Sequence, residues 1–207
     1  PLDENATRKI GITRAHLEED AGKSMHDEGS GRGDSRIDLN RCGTPLLEIV
    51  SEPDLRTADE ALAYLTKLKE IMTHLGVSDC EMQEGSLRVD ANVNLHIDKH
   101  GEKIATPIVE VKNMNSFRNV VAALHFEVER QYAEWEATGN TIKTHGKRTF
   151  GWDDVGEKTK PQREKEESAD YRYFPCPDLL PIRIAPERVE AIRATLGESP
   201  EETRERL

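Results

Sequence analysis

Five side chains in this sequence have types and settings suited to handling phosphate: Glu18, Glu48, Arg88, Asp90 and Lys112. Glu48 stands out because it interrupts an apolar run, Pro45, Leu46, Leu47, Glu48, Ile49, Val50. Burying an unpaired carboxylate costs several kcal/mol, so such a group is usually neutralised, ion-paired or bound to a metal. The alternative is that Glu48 lies at an exposed strand edge or pairs with a nearby Arg. Hard cations such as Mg²⁺ take one or two carboxylates from protein and fill the other positions with water and phosphate oxygens, a role that suits Glu18 and Glu48. Arg88 would meet phosphate oxygens through its fork and Lys112 as a point charge. Such a set is equipment for phosphoryl transfer, where positioning and charge neutralisation do most of the catalysis.

Alternation places these residues on strands. From Glu84 to Ile97, Leu87, Val89, Ala91, Val93, Leu95 and Ile97 fall on one side, and Glu84, Ser86, Arg88, Asp90, Asn92, Asn94 and His96 on the other. With a repeat of about 6.6 Å per two residues, this predicts one strand with an apolar back and a chemically dense front. A turn at residues 98–103 leads to a second strand from Ile108 to Met114, in which Val109 and Val111 alternate with Glu110 and Lys112. In an antiparallel hairpin with matched polar faces, Asp90 comes opposite Glu110 or Lys112. A third strand alternates Thr13, Ala15 and Leu17 with Arg14, His16 and Glu18. Three such polar faces point to one shared concave site.

Two helices should cover the apolar back. The first has Thr57 as N-cap, Glu60 to complete a capping box, a stripe through Ala61, Leu62, Leu65, Leu68, Ile71, Met72 and Leu75, and a stop at Gly76. The second starts near Ser116, runs a stripe through Val120, Val121, Leu124, Val128, Tyr132 and Trp135, and stops at Gly139. Met72 and Trp135 are read as core residues. Between Thr141 and Lys165, seven Lys and Arg face four acids, a pattern read as a solvated hairpin. Asp170, Tyr171, Arg172, Tyr173, Phe174 and the prolines at 175, 177 and 181 predict an extended strap. From Pro186 the sequence reads as a helix, a Gly-Glu-Ser-Pro break and the start of another.

Composition excludes several classes. The chain has 207 residues, enough for a proper core, and a net charge of −11, so bulk attraction to nucleic acid or anionic membrane is not its driving force. No apolar run approaches a membrane span and no signal segment is evident, which predicts a cytoplasmic protein without membrane contact. Cys42, Cys80 and Cys176 are widely spaced with no CxxC pair, so neither a disulfide framework nor a zinc site is expected. Ala21, Gly22, Lys23, Ser24 resembles the end of a phosphate loop, but Leu17 stands where that loop needs glycine. The tripeptide Arg32, Gly33, Asp34 lies in a Gly- and Ser-rich stretch read as a loop. A non-enzymatic RNA-binding module would explain the basic hairpin but not Glu48, and a two-metal phosphoesterase would need His and Asp clusters that are absent.

Five stretches carry a resemblance: HLEEDAGKS at 16–24, IDLNRCGTPLLEIVSEPD at 37–54, EGSLRVDANVNL at 84–95, VEVKNMNSF at 109–117 and DYRYFPCPDLLP at 170–181. Together they resemble the B subunits of the tRNA-dependent Asp/Glu amidotransferases, the GatB family, over nearly the whole chain. The resemblance implies an enzyme assembled from three chains, with a glutaminase as the A subunit and a small protein as the C subunit. It would use ATP and Mg²⁺ to phosphorylate the side-chain carboxylate of misacylated Glu-tRNA(Gln) or Asp-tRNA(Asn), then amidate it with ammonia. It also implies an α+β fold, an antiparallel sheet cradle similar to glutamine synthetase with helices on its apolar face. The implied domains are a catalytic cradle over residues 1–185 and the start of a helical domain over 186–207. Glu18 and Glu48 match the family's metal positions, Arg88 and Lys112 would bind the cofactor, and Glu48, Arg88, Asp90 and Lys112 form the expected catalytic set. The family's N-terminal strand, zinc segment and tRNA-gripping tail are not in the sequence, so an isolated fragment without zinc and without activity of its own is expected. Its location would be the cytoplasm, or an organelle in a eukaryote.

Overall fold

The computed structural model describes residues 8–26, 35–162, 177–178 and 180–207. The Gly- and Ser-rich loop, Arg163, Lys165 and the strap from Asp170 to Cys176 lie outside the described residues. The chain divides into two compact units, Pro1–Glu60 and Ala61–Leu207.

The first unit is built on two antiparallel pairs, in which β1 (Ile12–Glu19) pairs with β4 (Pro45–Ser51) and β2 (Lys23–His26) with β3 (Ser35–Asp38). The alternation expected around Thr13 to Glu18 is present as β1. Lys23 and Ser24 sit on a strand, whereas a phosphate loop opens a helix. The turn joining β3 to β4 is fastened to Asp20. Its backbone N–H donates to the Thr44 carbonyl at 2.8 Å, its carbonyl accepts from Gly43 N–H at 2.9 Å, and its carboxylate accepts from Arg41 Nε at 2.8 Å. Gly43 has φ of 80°, a backbone state open to glycine without steric cost.

Helix α1 (Ala58–His74) begins where the capping residues require, with Glu60 N–H donating to Thr57 Oγ1 at 3.1 Å. The reciprocal half of the box is displaced by one residue. The Glu60 carboxylate accepts from Arg56 N–H at 2.6 Å and from Arg8 Nε at 2.6 Å. The Arg56 N–H, ahead of the Arg8 charge, holds this carboxyl below its ordinary range.

The second unit contains β5 (Val89–Val93), β6 (His96–Lys99), β7 (Glu102–Ala105), β8 (Val109–Met114), α2 (Phe117–Thr138), β9 (Arg148–Asp153), β10 (Lys158–Pro161), α3 (Pro186–Arg193) and α4 (Pro200–Arg206). The last two helices fall where the break was read, and Ser199 and Glu202 close a full capping box at α4. Its main sheet has the order β10-β9-β8-β5. The predicted strand from Glu84 to Ile97 is divided. Leu95 N–H donates to Thr106 Oγ1 at 2.8 Å and Thr106 N–H returns a bond to the Leu95 carbonyl at 2.9 Å, so the chain leaves β8 here and β6 pairs with β7 instead.

Two further expectations are corrected. The sheet is not wholly antiparallel, because α2 carries the chain from β8 to a parallel neighbour, β9. The segment read as a solvated hairpin is that neighbour and its partner β10, and it buries Phe150, Trp152 and Thr159. The core comprises Leu65, Val109, Val111, Met114, Val120, Ala123, Phe150 and Trp152, which confirms that helices cover the apolar back of the sheet.

The face of α2 that is buried differs from its apolar stripe. Buried positions are Asn119, Val120, Ala123, Glu127 and Gln131, while Val128 and Tyr132 are 46% and 45% exposed and Trp135 is half-buried. Trp135 packs at a tilt on Tyr132, with the Lys99 ammonium 5.3 Å from its ring centre. Met72 is also only half-buried. Beside the core contacts of Val120 and Ala123, a polar network holds α2 down. Glu127 accepts from Arg130 through both oxygens at 2.8 Å, from Gln131 Nε2 at 3.0 Å and from Thr159 Oγ1 at 2.5 Å. Gln131 also accepts from Thr106 Oγ1 at 2.8 Å, and Glu134 takes a two-pronged contact from Arg148 at 2.7 and 2.8 Å. Among the described residues, no helix is long and apolar enough to cross a membrane.

Removing one partner of a buried ion pair costs about 3–5 kcal/mol, whereas an exposed substitution stays within about 0.5 kcal/mol. Urea denaturation should therefore show a loss of that larger size for Glu127→Ala and almost none for Val128→Ala, the reverse of what the apolar stripe implies. The Arg148 guanidinium, with further help from Arg130, holds the Glu134 carboxyl at about 2. A depressed carboxyl contributes stability above its unfolded pKa and loses it as pH falls through the folded value. Melting temperature should fall between about pH 4.5 and pH 2, and Glu134→Gln should flatten that limb.

Candidate functional site

Within the first unit, the antiparallel register places His16 opposite Glu48 and Glu18 opposite Leu46, so Arg14, His16, Glu18 and Glu48 share one face of the ribbon. Glu18 and Glu48 are diagonal neighbours, about 7–8 Å apart at this kind of spacing. The burial argument for Glu48 fails. Its side chain is 47% exposed and takes a hydrogen bond from Arg14 at 3.1 Å, the alternative that the sequence left open. The error lay in reading the apolar neighbours as a buried strand, since Leu47 is exposed as well. Among the described residues, no three His, Cys, Asp or Glu side chains are grouped to hold a metal. Two carboxylates on one face do suit Mg²⁺, which keeps several waters, and Arg14 would have to yield one oxygen of Glu48.

The second unit carries Arg88, Asp90 and Lys112. Arg88 is exposed and immediately precedes β5. Asn92 lies opposite Glu110 and Ala91 opposite Val111, whereas Val89 lies opposite Met114. The register therefore slips by one residue, and both Lys112 and Asn113 oppose Asp90. This is a β-bulge, a device that re-aims side chains and is common beside active sites. Asn113 takes φ of 65°, the left-handed state that Asn tolerates better than most residues. Lys112 Nζ donates to Asp90 Oδ2 at 2.5 Å and lies 3.5 Å from Glu110, which confirms the expected approach of Asp90 to Lys112.

The parallel strand β9 adds residues that alternation alone left out of the site. Glu110 pairs in register with Thr149, and Lys147 donates to Glu110 Oε1 at 3.1 Å. Glu110 thus stands between two lysines. Burial pushes its carboxyl up, but the Lys147 hydrogen bond and the charges of Lys112 and Lys147 outweigh that and hold it below the ordinary range. Burial acts to lower the Lys112 pKa, yet Asp90 and then Glu110 raise it overall. Alternation around Val111 made Glu110 visible in the sequence. Lys147 and Thr149 were hidden because only the parallel pairing brings them across.

The front of this sheet is a lattice of Asp90, Lys112, Glu110 and Lys147, with Asn92 and Thr149 beside it. Lysines give point charges for phosphate oxygens, and carboxylates accept from donors or ligate hard cations. The structure thus brings Glu18 together with Glu48 in one unit, and Asp90 together with Lys112 in the other.

This chain belongs to a family described as the GatB/GatE catalytic domain, whose pattern matches residues 2–190. Its relatives carry a more particular name. A protein of Rhodopirellula baltica, named as the B subunit of an aspartyl/glutamyl-tRNA(Asn/Gln) amidotransferase, is 69% identical over 205 residues, covering 99% of this chain and 41% of that protein. Proteins of the same name from Hydrogenovibrio crunogenus and Coxiella burnetii are each 52% identical, over 96% and 99% of this chain and 40% and 41% of their own lengths. The chain spans about two fifths of the length of these relatives.

If the lysines set the charge state of Glu110, Lys147→Met should move its carboxyl upward toward the ordinary carboxylate value. A carboxyl-carbon NMR titration reads this directly. An unmoved Glu110 would remove Lys147 from the lattice.

Proposed function

We propose that this chain is the catalytic part of the B subunit of a tRNA-dependent amidotransferase. In this reading it uses ATP to phosphorylate the side-chain carboxylate of Glu-tRNA(Gln) or Asp-tRNA(Asn) and then forms the amide with ammonia. A glutaminase, the A subunit, supplies the ammonia, and a small C subunit completes the assembly. The observation that carries the reading is the Asp90, Lys112, Glu110, Lys147 lattice on an open sheet face, in a chain of this family. The glutamine synthetase likeness of the cradle, the division at residues 185 and 186 and a cytoplasmic or organellar location belong to the same proposal.

In the first step a carboxylate oxygen attacks the γ-phosphorus and ADP leaves. In the second, ammonia attacks the acyl carbon, gives up a proton and displaces inorganic phosphate. Arg88 and Lys112 bind phosphate oxygens and hold the triphosphate in line. Asp90 fixes the Lys112 ammonium through its 2.5 Å contact. Glu18 and Glu48 would hold Mg²⁺, which would supply the charge neutralisation that phosphoryl transfer needs.

The test uses the complete enzyme with misacylated tRNA. Glu48→Gln keeps the shape and removes the charge, and should abolish the phosphorylated intermediate while glutaminase activity persists. Arg88→Lys keeps the charge and loses the bidentate fork, and should slow single-turnover amidation by about a hundred-fold with little change in melting temperature. Wild-type turnover in both variants would contradict the assignment.

A further inference from the structure

The apolar stripe that the sequence places on α2 is only partly used by the core. Leu124 packs against the core, Val121 and Trp135 are half-buried, and Val128 and Tyr132 stay nearly half exposed. At about 100° per residue these five side chains fall within roughly 80° of arc, and from Val121 to Trp135 they run about 21 Å along the helix. A seam of this width is what paired helices bury against each other, and an apolar patch left open on a surface marks an interaction site.

Two features of the seam say what it fits. From Val128 the next members, Leu124 and Tyr132, lie four residues away on either side, and the last, Val121 and Trp135, lie seven away on either side. The seam therefore reads the same in both directions about Val128. Its exposed flank carries Arg118, His125, Glu129 and Glu136. Laid antiparallel on a copy of itself, α2 brings Arg118 against Glu136 and His125 against Glu129, and each pair occurs twice. A parallel copy would instead set each of these residues against its own kind. Arg118, His125 and Glu129 make no hydrogen bond or ion pair among the described residues. Glu136 accepts from the neighbouring Tyr132 hydroxyl, and a carboxylate has further lone pairs for an arginine. An interface between identical chains requires such self-complementarity, because the same patch meets itself across a two-fold axis. A partner of different sequence would not require it.

We infer that two copies of this chain pair through α2, antiparallel, with the two-fold axis at Val128. Val128 then packs on Val128 of the other copy, Leu124 on its Tyr132 and Val121 on its Trp135, with the helix axes about 8–10 Å apart. The arginine–glutamate and histidine–glutamate pairs close one rim of the seam, and an imidazole N–H donates to a carboxylate in either charge state. Lys99, over the Trp135 ring, bounds the other rim. Pairing of this kind is independent of the chemistry proposed above and joins two complete enzymes.

The experiment measures the mass of the complete amidotransferase by sedimentation over a dilution series. The unaltered enzyme should pass from a particle with one copy of this chain to one with two as concentration rises. Val128→Asp sets two carboxylates against each other in an apolar seam and should weaken the association about a hundred-fold or more. In protein diluted until the copies separate, the same substitution should leave the melting temperature nearly unchanged, as expected of an exposed position. Arg118→Glu should weaken the association about ten-fold, and adding Glu136→Arg to it should restore the original value, because the exchanged charges still meet across the axis. One copy per particle at every concentration would overturn the inference. A two-copy particle indifferent to Val128→Asp would place the contact elsewhere, and loss of a different subunit from the Val128→Asp enzyme would assign the seam to that subunit; either result overturns it. Failure of Glu136→Arg to restore what Arg118→Glu removes would overturn the antiparallel pairing.

Discussion

Glu127 has no exposed surface, and its two carboxylate oxygens take hydrogen bonds from Arg130, Gln131 and Thr159. Burial favours the neutral acid, and these donors, with the charge of Arg130, outweigh it and keep the group ionised. The bond to Thr159 reaches β10, and Gln131 reaches the Val93 carbonyl at 3.2 Å on β5, so one turn of α2 grips both outer strands of the sheet. The parallel pairing of β8 with β9 depends on that grip, because α2 is the connection between them. With that pairing go the approach of Lys147 and Thr149 to Glu110 and the placing of Gly151 beside Lys112.

The two faces of the sheet thus divide the work. The back combines aliphatic and aromatic burial with ion pairs, and Arg130 and Arg148 lie 4.6 and 5.5 Å from the Phe150 ring centre, so their planar ends also cover apolar surface. The front has charged groups that are matched in sign and only partly buried. Such groups retain hydration and can exchange partners, which suits a surface that must take up and release an anionic ligand. A bulge at Lys112 and Asn113 is tolerated because Val111 and Met114 on either side of it still reach the core.

Much of this was legible in the sequence for a simple reason. Period-two alternation located β1, β5 and β8 together with the contact between Asp90 and Lys112, and in β5 and β8 it also records which face is buried, whereas β1 is exposed along its whole length. Capping residues located the starts of α1 and α2. Alternation failed where a polar residue was buried, since Glu127 and Gln131 do not register as core in an apolar count, and it could not reveal a parallel partner 39 residues away, such as Arg148 for Val109 or Thr149 for Glu110. Charge density disguised β9 and β10 as a solvated hairpin. Glu48 misled in the opposite direction, because apolar neighbours on a two-stranded ribbon do not make a buried strand.

The central claim is that the carboxylate on the tRNA is activated by phosphate before ammonia arrives. Misacylated tRNA labelled with ¹⁸O in both side-chain carboxylate oxygens tests it directly in the complete enzyme. Transfer of the γ-phosphoryl group predicts that each amidation delivers one labelled oxygen to inorganic phosphate. Label recovered in AMP, or phosphate free of label at full amidation, would contradict the account.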